Sequence, residues 1–136
     1  MEKLKVIRWK QRFENFEKSF LLLKEFTQIK TPSKIERAGG IQFFEMSFEL
    51  AWKVLKDYLE SEGFEPKSPK ATLKQAFQSN LIEDGHIWMD ALDDRNLTVH
   101  TYDEELAQKI SFNIVNNYYL IFSDLYNKFK LLYKRS

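Results

Sequence analysis

The sequence predicts an all-α fold: an antiparallel up-and-down bundle, like a four-helix bundle with additional short helices. Three observations predict it. Apolar residues recur at spacings of three and four over long stretches, the period of one helix face. The four glycines and three prolines stand mostly between those stretches, which argues for long helices and against an all-β fold. A length of 136 residues, 43% of them apolar, is enough for one real core, so a single domain over 1–136 is expected.

The elements follow in order. The first helix is expected from about Leu4 to Ile29, with Phe13, Phe16, Phe20, Leu23 and Phe26 or Thr27 on one face. Thr31-Pro32 restarts the chain, with Thr31 suited to cap and Pro32 to the first turn. The second helix runs from about Ser33 to Glu62 on a stripe of Ile41, Phe44, Phe48, Ala51, Leu55 and Tyr58. Gly39-Gly40 inside it mark a kink or a close helix crossing, and Gly63 is its expected C-terminal cap. Ser68-Pro69 opens a short third helix to about Asn80, and the chain turns over Leu81–Gly85. A short fourth helix covers about His86 to Asn96. Ile87, Ala91 and Leu92 are assigned to its core face, and Asp90, Asp93 and Asp94 to its outer face. The last helix is the longest. Thr101 and Glu104 read as its capping box, and its stripe runs Leu106, Ile110, Ile114, Tyr118, Ile121, Leu125, Phe129, Leu132. Lys128, Lys130, Lys134 and Arg135 suit the negative end of its dipole.

Composition removes several function classes. With 21 basic and 20 acidic residues the net charge is +1, so no global field draws nucleic acid and any RNA must be held by a local site. Cysteine is absent, which excludes disulfides and thiolate chemistry and fits a reducing cytoplasm. The segment Met1–Lys5 lacks the apolar run of a signal peptide, and no stretch approaches the roughly 20 apolar residues of a membrane span. A soluble cytoplasmic protein that does not engage membranes is expected.

Chemistry concentrates in Asp93-Asp94-Arg95-Asn96-Leu97-Thr98-Val99-His100-Thr101-Tyr102. Arg95 lies near the end of one expected helix and His100 just before the next, so the pair straddles a helix–loop–helix junction. A planar guanidinium can bind a phosphodiester and stabilise the charge that grows on it, while an imidazole moves the proton. On RNA the neighbouring 2′-hydroxyl can attack, and that chemistry needs no metal. Asp90, Asp93 and Asp94 with a single histidine do not make a recognised metal cage. The competing arrangement is structural: Arg95 pairs with Asp94 or Glu104, and His100 bonds backbone. Asp103, Glu104 and Glu105 also occupy the positive end of the following helix, where they repel an anion.

Arg95-Asn96-x3-His100 resembles the signature of HEPN domains, and Arg95-x4-His100-x-Tyr102 resembles that of their nucleotidyltransferase substrate-binding branch, which includes the HepT toxins. Gln42-x-Phe44-Glu45, Phe48-Glu49-Leu50-Ala51-Trp52-Lys53 and the Ser68-Pro69 helix start look like the same family, so the resemblance covers most of the chain. It implies a HEPN-like helical bundle that forms a homodimer, with two Arg95–His100 motifs facing one cleft. It implies a metal-independent endoribonuclease toxin with no cofactor, and a minimal nucleotidyltransferase partner acting as antitoxin. It also implies transfer of AMP to Tyr102. The acidic neighbours Asp93, Asp94 and Asp103 leave a second reading open: a non-catalytic substrate-binding subunit of a two-component nucleotidyltransferase.

Beside that segment, Asn96 and the second-helix residues Glu45, Glu49 and Trp52 are candidates to line the same groove, with a carboxylate there orienting His100. The alternative for Glu45 and Glu49 is a solvated face with pairs such as Glu49–Lys53. His86 reads as a surface or capping histidine, and Trp52 and Trp88 as candidates for a dimer surface or groove. The aromatic residues otherwise read as core rather than as stacking platforms.

Overall fold

The computed structural model describes residues 2–135; Met1 and Ser136, the ends of the expected domain, lie outside it. Helices account for most of the chain, with no strand among the described residues. They are α1 (Glu2–Thr27), α2 (Lys34–Ser61), α3 (Pro69–Gln78), α4 (Gly85–Leu97), α5 (Glu104–Asn113) and α6 (Tyr119–Arg135). A 3₁₀ turn, Thr98–His100, follows α4, and a π-helical turn, Ile114–Tyr118, joins α5 to α6.

Pairings between residues give the direction of each helix. Arg12 meets Asp57, Ser19 meets Ser47, and Gly40 abuts Phe26, so α1 and α2 run antiparallel. Glu14 meets Tyr133 and Glu17 meets Tyr126, so α6 also opposes α1. Phe44 stacks on Tyr118 and Tyr58 packs edge-on to Phe129, so α6 runs with α2. Trp88 packs on Phe122 while Asp94 meets Tyr118, so α4 opposes α6 and supplies the fourth position of an up-down-up-down bundle. The core is largely aromatic: Phe13, Phe16, Phe44, Phe48, Phe122 and Phe129 are fully buried together with Trp88. Trp88 is therefore a core residue, not a surface one, because the inward face of α4 sets it between Phe48 and Phe122.

Helix ends follow local chemistry, not always as expected. The N-terminal cap of α2 is Ser33, not Thr31: Ser33 and Glu36 exchange hydrogen bonds as a full capping box. At the other end Gly63 adopts φ +96, Gly63 N–H donates to Glu60, and Phe64 N–H donates to Leu59, which is a Schellman motif. Ser68 caps α3 ahead of Pro69. The expected Thr101–Glu104 box does not form. Asp103 caps α5 by accepting from Glu105 and Leu106 N–H, while Glu104 pairs with Arg37 of α2 at 2.5 Å.

The last helix is not uniformly α-helical. In the π turn Tyr119 N–H donates to the Ile114 carbonyl, five residues back, and the Asn116 side chain takes the Phe112 carbonyl at 2.8 Å. Residues five apart on an α-helix point about 140° away from each other. The π turn instead brings Asn113 and Tyr118 onto the same partner, Asp94.

Candidate functional site

The motif straddles the 3₁₀ turn: Arg95 and Asn96 stand at the end of α4, His100 ends the turn, and Tyr102 follows it before α5. Asp94 and Arg95 are consecutive, yet they bind opposite neighbours. Asp94 accepts the Tyr118 hydroxyl at 2.5 Å and the Asn113 amide at 3.2 Å. Arg95 reaches the other way and pairs with Glu49 of α2. Asp94 does not take the outer face expected of it: it is half-buried, because the π turn presents those two donors to it. Burial, the Asp94 hydrogen bond and the negative charges of Asp94, Asp90 and Asp93 push the Tyr118 phenol far above its ordinary range, so it stays a neutral donor.

Arg95 takes neither partner, Asp94 or Glu104, of the structural alternative. Its Nη2 donates to Glu49 Oε2, and its Nη1 lies 3.3 Å from Asn96 Oδ1. Glu49 also accepts the Trp52 indole at 3.2 Å and pairs with Lys53 at 3.2 Å. Glu49 thus keeps its i,i+4 lysine while also pairing with Arg95. Burial pushes the Glu49 carboxyl up, but Trp52, Lys53 and Arg95 together outweigh that and hold it below the usual carboxylate range.

The turn itself is braced from below. The buried Thr98 hydroxyl lies 2.6 Å from Glu45 Oε2 and 2.8 Å from the Arg95 carbonyl, so Glu45 takes Thr98 rather than His100. Thr101 closes the turn through a 3.0 Å bond to the Thr98 carbonyl. His100 and Tyr102 then project into solvent, Tyr102 at 85% exposure, with the imidazole Nδ1 3.4 Å from the phenol oxygen and the rings edge-on.

The structure thus brings together Glu45, Glu49, Trp52, Arg95 and Asn96 on one side and His100 with Tyr102 on the other. Among the described residues, no hydrogen bond, ion pair or ring contact joins Arg95 to His100, and no carboxylate orients His100. Two of the three acidic neighbours are occupied elsewhere, Asp94 by Tyr118 and Asn113, and Asp103 by the N-terminus of α5. A nearby open cleft of about 480 Å³ has His86, Asp90, Asp93, Asp94, Lys109 and Tyr118 in its lining. Thr98 is the residue that sequence reasoning missed; a lone threonine after a helix carries no signal for a bond to a carboxylate 53 positions earlier. No group of three or more metal-binding side chains occurs among the described residues.

Comparison with known proteins adds four findings. A family model described as nucleotidyltransferase substrate binding protein like matches residues 11–131. A curated Haemophilus influenzae protein described as probable ribonuclease HepT is 36% identical over 78 residues, or 54% of this chain and 53% of that protein, so the match spans about half the relative's length. A crystal structure from Thermus thermophilus matches with a TM-score of 0.78 at 38% identity, covering 83% of this chain and 97% of that one. A second solved structure, from Haemophilus influenzae, matches with a TM-score of 0.64 at 26% identity, covering 90% and 96%; it is described as the fold of a substrate binding domain of a nucleotidyltransferase.

Proposed function

This chain belongs to the nucleotidyltransferase substrate binding protein like family, and on that premise we propose that it is a metal-independent endoribonuclease of a toxin–antitoxin pair, regulated by a minimal nucleotidyltransferase. In this reading residues 1–136 act as one HEPN-like domain in the cytoplasm, and two copies form a homodimer whose motifs share a cleft. Arg95 binds the scissile phosphate and stabilises the charge that accumulates on it. His100 takes the proton from the 2′-hydroxyl as its oxygen attacks phosphorus. The bond from phosphorus to the 5′-oxygen breaks, that oxygen is protonated, and the products are a 2′,3′-cyclic phosphate and a 5′-hydroxyl.

The observation that carries the proposal is the placement of the motif. Arg95 pairs with Glu49 at the end of α4, and His100 stands exposed on a turn that Glu45 braces through Thr98. Tyr102 is the proposed acceptor of AMP. Its oxygen attacks the α-phosphorus of ATP, its proton is lost, and pyrophosphate leaves. The resulting phosphodiester adds negative charge beside the His100 ring, 3.4 Å from the unmodified oxygen, and blocks the approach of RNA.

The test is an RNA cleavage assay of wild type and His100→Ala, with EDTA present and with or without the partner and ATP. Cleavage is expected to survive EDTA, to disappear in His100→Ala, and to stop once Tyr102 gains an adenylyl mass. Cleavage that requires metal, or that His100→Ala retains, overturns the nuclease reading. The likeness to the Haemophilus influenzae structure, that of a substrate binding domain of a nucleotidyltransferase, favours one other reading, a non-catalytic substrate-binding subunit of a two-component nucleotidyltransferase. A stable complex on a sizing column without cleavage under any condition would establish that reading instead.

A further inference from the structure

Arg95 is the cation that the proposed chemistry assigns to a phosphate, yet its guanidinium already holds an anion. The Glu49 carboxylate sits on Nη2, where a phosphate oxygen would meet the same fork. Glu49 does not depend on that contact. Its Oε1 faces the Lys53 ammonium at 3.2 Å, and its Oε2 also receives the Trp52 indole at 3.2 Å. A carboxylate with three donors remains compensated when one of them leaves. Arg95, for its part, uses only Nη1 and Nη2 in contacts, to Asn96 and Glu49, and both side chains are about one-third exposed, at 28% and 33%. A pair at that exposure is worth little and exchanges readily.

We propose that Glu49 is a resident occupant of the anion position on Arg95, which an RNA phosphate displaces while Lys53 and Trp52 keep the carboxylate compensated. The inference rests on Arg95 being the phosphate-binding residue. Glu49 acts through Arg95 and is a positioning residue: it holds the guanidinium against α2 and makes each phosphate compete for it. An incoming phosphate therefore has to exceed a threshold set by an ion pair within the same chain. Lys53 assists binding without touching the ligand, by holding Glu49 once Arg95 has been released.

The experiment measures binding, in the full chain carrying His100→Ala so that RNA stays intact. A fluorescein-labelled single-stranded RNA is titrated by anisotropy at fixed low salt. Glu49→Gln is expected to bind about two- to fivefold more tightly, the range corresponding to the loss of one partly exposed ion pair. That gain is expected to vanish when Arg95→Ala is added, because a general loss of negative charge would persist there. Lys53→Ala is expected to weaken binding with Glu49 present and to have no effect beside Glu49→Gln. Unchanged, weaker or undetectable binding in Glu49→Gln overturns the proposal, and so does a gain that survives Arg95→Ala. Loss of affinity from Lys53→Ala in both backgrounds makes Lys53 a direct phosphate contact and overturns the hand-over. Failure of the wild type to cleave RNA would remove the nuclease reading alone, since this comparison reads only binding.

Discussion

The adjacent glycines of α2 should respond to the same substitution with opposite sign. A Cβ built on Gly40 lies 2.5 Å from three atoms of the Phe26 ring, whereas a Cβ on Gly39 meets nothing within 4 Å. Alanine in a helix interior is favoured over glycine by about 0.8–1 kcal/mol. Gly39→Ala should keep most of that gain and stabilise by about 0.5–1 kcal/mol. Gly40→Ala collects the same propensity term but forces a methyl into a buried aromatic ring. Phe26 is only 4% exposed, so its ring cannot swing into solvent. Overpacking of this kind costs about 1–3 kcal/mol, and a contact with three ring atoms belongs in the upper part of that range. The net for Gly40→Ala is destabilisation by about 1–2 kcal/mol. The two variants should therefore differ by about 1.5–3 kcal/mol, or roughly 5–12 °C in melting midpoint for a chain of this size. Thermal melts and urea titrations of both variants check this. A Gly40→Ala protein that melts at or above Gly39→Ala would refute the close α1–α2 approach at this point.

Two further outcomes follow from contacts already described. Thr98→Val keeps the shape but removes the hydroxyl beneath the turn, leaving the half-buried Glu45 carboxylate without that donor. The expected cost is about 1–3 kcal/mol, with faster amide hydrogen exchange confined to residues 98–101; unchanged exchange there would show that Thr98 does not brace the turn. The hydrogen bond from Lys130, with that from Tyr126, holds the Glu17 carboxyl below its ordinary range, and Glu49 is also depressed. Such groups bind protons more weakly folded than unfolded, so they stabilise above the ordinary carboxyl range, and that stability is lost as pH falls through the lower folded values. Melting midpoints should fall across that acidic window, and Glu17→Gln should flatten the fall; an equal slope in the variant would contradict the assignment.

Much of the bundle is legible in periodicity, because helical faces are written into spacing. The core faces of α1 and α2, and the Gly63 stop, appear where the pattern puts them. The misses have physical causes. Ser33 rather than Thr31 caps α2 because Glu36 is in register to complete the box with it. Glu104 fails as a capping partner because Arg37, 67 positions away, claims it. Trp88 and Asp94 turn inward against expectation because the faces of a short helix depend on its neighbours. The π turn left a trace that is readable afterwards: Leu106, Ile110, Ile114 and Tyr118 step by four three times running. A regular α-helix would carry such a stripe about 120° off the core face, and the wider turn absorbs the drift. At the site, Arg95, His100 and Tyr102 stand out by residue type, whereas the roles of Thr98, Glu45 and Lys53 depend on which helices meet.

The end of α4 is tied in opposite directions, Asp94 to the π turn and its C-terminal cap residue Thr98 to Glu45 of α2. The helix end is thereby fixed against rotation about its own axis, much as a shaft is held by two keys. Chain ordering around the junction is completed during folding and need not be repeated when a ligand arrives. What remains to be ordered is confined to side chains beyond the tie, chiefly the exposed His100 and Tyr102, at about 0.5–1.5 kcal/mol for each one immobilised. Binding at this surface should therefore show the small entropic penalty of a rigid body with two loose fingers.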